Sequence, residues 1–371
     1  MAYVAVKGGK KAIEEAEKLV TYYRYKGGST PIEVKQILDQ MRMAVYQVMG
    51  EGSLYAPELA ALALKQTEGD TLEASFLLRA FRSTLPRNFY SLPVDTTCMQ
   101  VIRRISAAFK DIPGGQYLGP TRDYTKRLLN FELLEEGEEH VKDFMAEYLA
   151  EIEDEIHEPP PTFPKVIDLL RQEGLLEIPK RDKEGETKVV DDITRQSLRF
   201  PASRAMRLQS LARGETGSMM ALAYSSMRGY GNIHPVLGEL RVGYVDLVVS
   251  HPLIEGETIT VGKVMVTEVE IVSEIMTSNE HRDKNRRPKF TAGYGLCFGQ
   301  NEVKAIAMAT LDRAMASENP KAPAEDEEFV LYHIDGIEAS GFTSHWKLPH
   351  YVDFQAVLNR VRSVREREGR K

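Results

Sequence analysis

Two histidines near the C-terminus, His345 and His350, have a spacing that could serve metal chemistry. In a helix, a step of five residues turns the side chains about 140° apart, so the two rings would not share a face. Pro349 lies between them and disfavours an uninterrupted helix. A loop could instead bring both imidazoles to one ion, and two neutral imidazoles leave room for water or substrate, as a catalytic zinc requires. The alternative is a pair of hydrogen-bonded loop histidines, and the spacing alone favours that alternative.

A run of arginines offers a second kind of chemistry. No acidic residue occurs between Arg195 and Arg213, and guanidinium groups bind phosphate oxygens bidentately. The alternative is that these arginines pair with the acids of residues 132–158 or with a partner subunit, and the spacing does not decide between the two. Arg228 lies in a glycine-punctuated stretch that could present it to a ligand or could be a plain turn. The arginines of the run are Arg195, Arg199, Arg204, Arg207 and Arg213, of which Arg204 and Arg207 would share a helix face.

Length, charge and cysteine content limit the possible classes of protein. A chain of 371 residues is long enough for two or three domains, and its formal charge of −7 gives no general attraction to nucleic acid or to an anionic membrane. Cys98 and Cys297 are its only cysteines, so it can form no disulfide framework and cannot hold a four-iron cluster by itself. Because the sequence has no run of about 18 apolar residues and no hydrophobic signal stretch, we expect a cytoplasmic protein.

The first third of the chain is predicted to be mainly helical. Apolar residues at helical spacing, a proline at a first helical position and acidic residues that complete capping boxes indicate the helices. The predicted elements are a short strand over Tyr3–Val6 and helices from Lys10 to Tyr25, from Thr30 as N-cap to Gly50 and Gly52, from near Pro57, from Asp70 as N-cap, and from Met99 to Phe109.

The middle of the chain is predicted to connect two domains. Residues 132–158 contain twelve acids and one lysine, which is typical of a solvated helix with a linker. A short helix is expected over Val166–Leu176. We therefore divide the chain into a mainly helical domain over residues 1–131, an acidic and proline-rich linker over 132–190 and an α+β domain over 191–371.

The last part of the chain changes in character. Alternating β-branched residues predict strands there, and their grouping with few interleaved helices favours a largely antiparallel, mixed sheet. The fold class is therefore α+β. The predicted strands are Arg241–Val249, Thr258–Val266, Glu268–Ile275 and Phe329–His333, and the predicted helices are Asn301–Met315, after a glycine-rich turn over Gly295–Gly299, and Phe354–Arg367.

Seven sequence blocks in a fixed order resemble the PhnI family, which supplies a core subunit of the bacterial carbon–phosphorus lyase complex. The segments around 132–160 and Ser278–Lys289 depart from the family pattern. The blocks are Tyr3-Val-Ala-Val-Lys-Gly-Gly9, Glu58-Leu-Ala-Ala-Leu-Ala-Leu-Lys-Gln66, Lys110-Asp-Ile-Pro-Gly-Gly-Gln116 with Leu118-Gly-Pro-Thr121, Arg228-Gly-Tyr-Gly231 with His234-Pro235, Gly293-Tyr-Gly-Leu-Cys-Phe-Gly299, Glu327-Glu-Phe-Val-Leu331 and Gly341-Phe before the histidine loop.

The resemblance implies a reaction and a set of partners. PhnI-like proteins, acting with companion subunits, displace adenine from C1′ of ATP with an alkylphosphonate oxygen and form α-D-ribose 1-methylphosphonate 5-triphosphate. With water as the nucleophile, the same displacement is a purine nucleosidase activity. The resemblance also implies zinc as a cofactor on His345 and His350, which occupy the matching motif positions. The partners it implies are the other core subunits, including the radical iron–sulfur subunit.

That reaction makes three physical demands on the protein. The triphosphate must be clamped, and Arg199, Arg204, Arg207 and Arg228 are our candidates for that role. The leaving purine needs a proton donor, and positive charge that develops on the sugar needs nearby negative charge. Glu338 and Asp353, which flank the histidine loop, are candidates for these two roles. The alternative function is a non-catalytic core scaffold that completes active sites on partner subunits.

Overall fold

The computed structural model describes residues 9–152, 162–176, 191–228, 235–274, 289–317 and 319–369. Thirteen α-helices and four strands occur in these residues. The helices are α1 (Lys10–Tyr25), α2 (Val34–Gln40), α3 (Arg42–Gly52), α4 (Pro57–Gln66), α5 (Thr71–Arg82), α6 (Glu138–Ile152), α7 (Ile167–Gln172), α8 (Arg204–Arg213), α9 (Thr216–Met227), α10 (Glu302–Ala314), α11 (Glu327–His333), α12 (Gly336–Ser344) and α13 (Tyr351–Glu368). The strands are β1 (Gln100–Ile105), β2 (Val236–Ser250), β3 (Thr258–Glu274) and β4 (Phe290–Phe298). A helical N-terminal region followed by an antiparallel sheet with helices confirms the predicted α+β class.

The described chain divides into two compact units. The first unit contains residues up to Ser83, Arg213–Ser218 and residues from Leu331 onward, and the second contains Thr84–Ala212 and Met219–Val330. The boundaries predicted at residues 131 and 190 stay a prediction. Among the residues that the structure covers, no helix is both long enough and apolar enough to cross a membrane.

The first unit is built on a core of small and medium apolar residues from α2 to α5. Asp70 caps α5 as predicted, because its carboxylate accepts hydrogen bonds from the backbone N–H groups of Leu72, at 3.0 Å, and Glu73, at 3.1 Å. The helix from Pro57 also forms as predicted. The buried members of this core are Ile37, Val45, Val48, Met49, Ala60, Ala61, Ala63, Leu64, Ala74 and Leu78.

The helix predicted from Thr30 differs from the one observed. It begins at Val34 rather than after Thr30, because Glu33 is the N-cap and forms a capping box with Gln36. Met41, at φ −111° and ψ 37°, then separates α2 from α3. Proline and acid signals therefore located the helix but not its first residue.

The second unit is built on the four-stranded antiparallel sheet, in the order β1-β2-β3-β4. The helix α10 packs on β4, where a Cβ at Gly293 or Gly295 would lie 2.0 or 2.2 Å from a carbonyl oxygen of α10. Only glycine permits this close approach of helix to strand. Val269 and Ile271 pair with these glycines in β3 and are buried on the same face.

Four predicted elements of the second unit and its border need correction. The helix predicted over Met99–Phe109 is the strand β1, because Gln100–Ile105 pairs with β2. The strand predicted over Phe329–His333 is the helix α11, whose start is capped by Asp326 accepting from the N–H of Phe329 at 3.0 Å. The two strands predicted from Thr258 are one strand, β3, because Thr267 continues the pairing with β2 and β4.

The glycine-rich turn predicted over Gly295–Gly299 is also wrong, because Gly295 to Phe298 belong to β4 and only Gly299, with φ 71°, leaves the strand. The helices predicted over Lys10–Tyr25, Asn301–Met315 and Phe354–Arg367 are confirmed within a few residues. Within the described part of the acidic segment, residues Glu138–Ile152 form the solvated helix α6, which has no buried residue. The strand predicted over Tyr3–Val6 lies outside the described residues. So does Ile275, the last residue of the strand predicted over Glu268–Ile275.

Candidate functional site

The two predicted histidines lie side by side in the first unit. His345 follows the last residue of α12 and opens a 3₁₀ turn, and His350 directly precedes α13. Their ring centroids are 5.5 Å apart. The break in the helix that Pro349 predicts is therefore present, and the loop brings the two imidazoles together.

Each imidazole is oriented by a backbone carbonyl. The Nδ1 of His350 lies 2.6 Å from the carbonyl oxygen of Leu348, and the Nδ1 of His345 faces the carbonyl oxygen of Phe342. Because a carbonyl only accepts, each Nδ1 carries a proton, and in the neutral ring Nε2 then keeps a lone pair. That tautomer is the one in which a histidine ligates a metal through Nε2.

The residues present fit a metal ion as two ligands of an open site. No third histidine, cysteine or carboxylate joins the pair in the part of the chain that the structure describes. Glu338 and Asp353 are exposed in the first turns of α12 and α13. Any further ligand would therefore come from water, substrate or another chain.

An aromatic surface surrounds the histidine pair. The Trp346 ring stacks near the His350 ring, with centroids 5.7 Å apart, and Phe342 lies 5.0 Å from His345. Both Trp346, at 66%, and Phe342, at 68%, are largely exposed. Exposed aromatic rings beside an incomplete ligand set are typical of a surface that another molecule covers.

The predicted arginines are engaged with acids that the sequence did not single out. Arg204 donates to Asp312 through Nη2, at 2.7 Å, and Nε, at 3.3 Å, and Asp312 is buried. Hydrogen bonding to Asp312 raises the pKa of Arg204. Arg207 lies 3.2 Å from Glu327.

The other arginines differ in their exposure and contacts. Arg213, in the first unit, shares Asp335 with Arg79, and burial lowers the pKa of Arg213. Arg199 is exposed. Arg228 is exposed and donates to the hydroxyl of Tyr224 at 2.9 Å. The arginines that the structure pairs therefore use acids from residues 312–335, none of them in the acidic segment 132–158.

A layer of buried ionisable side chains on the sheet of the second unit was not predicted. Glu239 of β2 pairs in register with Glu270 of β3, and Glu270 pairs with Tyr294 of β4. Residues two apart on a strand share a face, so Arg241 and Glu268 join the same layer. Gly293 and Gly295 face α10, so this layer lies on the opposite face of the sheet.

The segment Phe163–Val166 lies across this layer and is bound to it. The guanidinium of Arg241 donates to the carbonyl oxygens of Phe163, at 3.0 Å, and Pro164, at 3.1 Å. Glu239 accepts from the N–H of Val166 at 3.0 Å and from Nε of Arg104 at 2.6 Å. These contacts close this half of the layer, although Nε of Arg241, 2.8 Å from Oε1 of Glu239, makes no hydrogen bond to a described residue.

The other half of the layer holds two glutamates in different surroundings. The Oε1 of Glu268 accepts from the hydroxyl of Thr96 at 2.7 Å, the ammonium of Lys165 at 2.7 Å and the hydroxyl of Tyr294 at 2.9 Å. Glu270 lies 3.7 Å from the Lys165 ammonium and accepts no hydrogen bond from a residue that the structure describes. Burial raises the pKa of Glu270 to about 7. Burial also raises the pKa of Tyr294, with the charge of Glu268 adding to the effect.

Arg204 lies near this half of the layer. The backbone N–H of Tyr294 donates to Asp312, the residue that holds Arg204, at 3.0 Å. The positive charge of Arg204 opposes the rise in the pKa of Tyr294. The second unit therefore contains a cation whose side chain is 44% exposed and whose charge acts on Tyr294 of the layer.

These features define an α+β protein with an open histidine pair and a buried layer of ionisable groups. The family described as "Bacterial phosphonate metabolism protein (PhnI)" matches residues 2–368. The chain belongs to this family.

Three relatives cover almost the whole chain. The α-D-ribose 1-methylphosphonate 5-triphosphate synthase subunit PhnI of Escherichia coli is 47% identical over 99% of this chain and 99% of its own length. The subunit of the same name from Rhizobium meliloti is 46% identical over 98% of this chain and 95% of its own length. A relative from Stutzerimonas stutzeri is 49% identical over 99% of this chain and 97% of its own length.

Proposed function

We propose that this chain is a subunit of an α-D-ribose 1-methylphosphonate 5-triphosphate synthase in the carbon–phosphorus lyase system. The observation that carries the proposal is the end-to-end similarity to two relatives of that name. In the reaction, an alkylphosphonate oxygen displaces adenine from C1′ of ATP. When the chain acts alone, water takes the place of the phosphonate and the activity is that of a purine nucleosidase. ATP and the alkylphosphonate are then the substrates, and the cytoplasm is the compartment.

The arginines would hold the triphosphate. Arg204 suits this role because Asp312 fixes its guanidinium while much of its side chain stays exposed. Arg199 and Arg228 are exposed and could contact a polyanion, whereas Arg207 is bound to Glu327 and mostly buried. Binding energy from the phosphates then orients the sugar carbon that reacts.

His345 and His350 would hold the zinc through their Nε2 atoms. When bound there, the ion would polarise a phosphonate or phosphate oxygen, or a water molecule. The backbone carbonyls of Phe342 and Leu348 fix the orientation of the two rings for this purpose.

The scaffold alternative is favoured by one observation, the exposed apolar residues near the C-terminus. Surface of this kind is usually covered by a partner, and the companion core subunits, among them the radical iron–sulfur subunit, would be those partners. Such a subunit would also supply the cluster that two cysteines cannot hold. The exposed residues on α13 are Tyr351, Val352, Phe354, Val357, Val361 and Val364.

An assay of the purified full-length chain with ATP separates the two functions. We expect free adenine to appear, at a rate proportional to the chain's concentration through a final purification step. With methylphosphonate added, part of the product becomes α-D-ribose 1-methylphosphonate 5-triphosphate once the companion subunits are present. Adenine release that requires a companion subunit and persists when this chain's ionisable layer is altered would support the scaffold instead.

A further inference from the structure

Resting on the proposed function, we infer that Glu270 and Glu268 are the carboxylate pair of the displacement at C1′. Glu270 gives a proton to the leaving purine, and Glu268 stabilises the positive charge that develops on the sugar. The reaction demands both of these roles. Glu338 and Asp353, which are exposed beside the histidine loop, are the candidates for them from the sequence. The inferred pair lies instead in the sheet of the second unit.

Geometry makes Glu270 the group that is open to a ligand. Its side chain keeps 9% of its surface exposed and that of Lys165 keeps 16%, so solvent reaches the layer at this end. The other two carboxylates of the layer accept hydrogen bonds, Glu239 from Arg104 and a backbone N–H and Glu268 from three donors on Oε1, and Glu239 also lies beside Arg241. Glu270 alone accepts no hydrogen bond within the described residues.

Glu270 differs from the other carboxylates of the layer because no described residue donates to it. Its oxygens are not among the fully buried side-chain atoms without a partner, so water or a ligand can reach them and supply the missing hydrogen bond. The charges of the layer balance, because three glutamates face three cations, Arg104, Arg241 and Lys165. The Lys165 ammonium, however, lies 2.7 Å from Glu268 and 3.7 Å from Glu270, so its hydrogen bond goes to Glu268. Glu270 is therefore the carboxylate of the layer that receives no hydrogen bond from a described residue.

The surroundings of Glu270 set its protonation near neutral pH. Burial is the main cause of its raised pKa, of about 7; the charges of Glu268 and Glu239 add to the rise, and those of Lys165 and Arg171 oppose it. Tyr294, the remaining ionisable group that faces it, has its own pKa raised by burial and stays neutral. Glu270 can thus act as an acid, whereas Glu268, with three donors on one oxygen, acts as an acceptor. Two carboxyl groups with such different environments are a common basis for cleavage of glycosidic bonds.

The chemical step balances with these two groups. The C1′–N9 bond breaks and its electron pair leaves with the purine, which takes the proton from the Glu270 carboxyl group. An oxygen of the alkylphosphonate, or of water in its absence, forms the new bond to C1′. The Glu270 carboxylate regains a proton from solvent or from the nucleophile, and Glu268 stays a carboxylate throughout.

The test is adenine release from ATP by the full-length chain, alone and with its companion subunits, from pH 5 to pH 9. We expect Glu270→Gln to lower the turnover rate by about 100-fold or more, with little change in the Michaelis constant for ATP. The wild-type rate should fall as pH rises through about 7, where Glu270 loses its proton, and the variant should lack that limb. Glu268→Gln should lower the rate to a similar extent without removing the limb.

Two further variants control for folding and position. Glu274→Gln changes an exposed glutamate of the same strand and should keep the wild-type rate and pH profile. Glu270→Asp keeps a carboxyl group and should restore part of the rate, together with the pH limb. A thermal unfolding curve for each variant confirms that it is folded.

The outcomes distinguish this inference from the proposed function. If the wild-type chain releases adenine and Glu270→Gln matches it in rate and pH profile, the assignment is overturned while the proposed function stands. If the wild-type chain releases no adenine, alone or with its companions, the proposed function fails and the assignment fails with it.

Discussion

At the scale of single residues, the different surroundings of Glu268 and Glu270 have a cost in stability. Both side chains are buried on one face of β3, but only Glu268 is supplied with hydrogen bonds by its described neighbours. A carboxyl group that is buried without donors favours its neutral form. The fold therefore tolerates Glu270 best when it is protonated, and ionisation works against folding.

This asymmetry predicts a pH-dependent gain in stability for Glu270→Gln. Burial raises the pKa of Glu270 from 4.5 to about 7. The contribution of the protonated Glu270 carboxyl group to the stability of the fold is therefore fully present below pH 4.5 and is lost as pH rises through about 7. Gln mimics the neutral form at every pH. We expect the variant to be more stable than wild type by about 3 kcal/mol at pH 8 and equal to it near pH 4. Urea unfolding at both pH values measures this.

Glu274→Gln, which alters an exposed carboxyl group of the same strand, should change stability by less than about 0.5 kcal/mol at either pH. A stability difference for Glu270→Gln that is the same at pH 4 and pH 8 would contradict the assigned environment of Glu270.

The sequence contained part of the signal for this layer. Glu239 with Arg241 and Glu268 with Glu270 are charged pairs two residues apart within β-branched segments, which indicates that each pair shares a strand face. Pairing of β2 with β3, and the segment Phe163–Val166 across them, are tertiary facts that local spacing does not contain. The histidine pair was accessible from the sequence because its two residues and Pro349 lie in one loop.

At the scale of elements, α10 lies directly against β4 at two glycines of the strand, Gly293 and Gly295. Gly295 pairs with Val269 and lies under the carbonyl of Ala305. A methyl group at Gly295 would sit 2.2 Å from that oxygen, well inside van der Waals contact. Helix and strand would have to separate, and the α10 face of the sheet would lose its packing.

We therefore expect Gly295→Ala to lower the free energy of unfolding by about 3 kcal/mol or more. Gly27→Ala is the matched control, since a Cβ at Gly27 meets nothing within 4 Å. Chemical unfolding of both variants beside wild type measures the difference. Equal stabilities for the two variants would show that α10 does not lie against β4 as described.

Local signals located those elements that local interactions stabilise. The Asp70 cap and the helical apolar spacing after Pro57 act within one helix, and both predictions are confirmed. The strand β1 was mistaken for a helix because its apolar residues fit either period, and its pairing with β2 decides the outcome. The helix α11 was mistaken for a strand over a segment of seven residues, which is too short for periodicity to distinguish the two.

At the scale of the whole molecule, the two compact units carry different parts of the proposed chemistry. The first unit holds His345 and His350, and the second holds Arg204, Glu268 and Glu270. Substitutions in one unit can therefore be assayed while the other stays intact. Metal content reports on the first unit and the pH profile of adenine release on the second, so the two proposals can fail independently.

The zinc content of the protein should depend on its partners, because the ligand set consists of two imidazoles. Protein sites that bind zinc tightly use three or four ligands, and the described residues offer only His345 and His350 at this place. We expect zinc content, measured by mass spectrometry, to be low in the isolated chain and to approach one ion per chain when companion subunits are bound. Replacing both histidines by alanine should lower the zinc content of the assembly by about tenfold or more. His140→Ala, which alters an exposed histidine on α6, should leave that content unchanged. Stoichiometric zinc in the double variant would exclude these two histidines as its ligands.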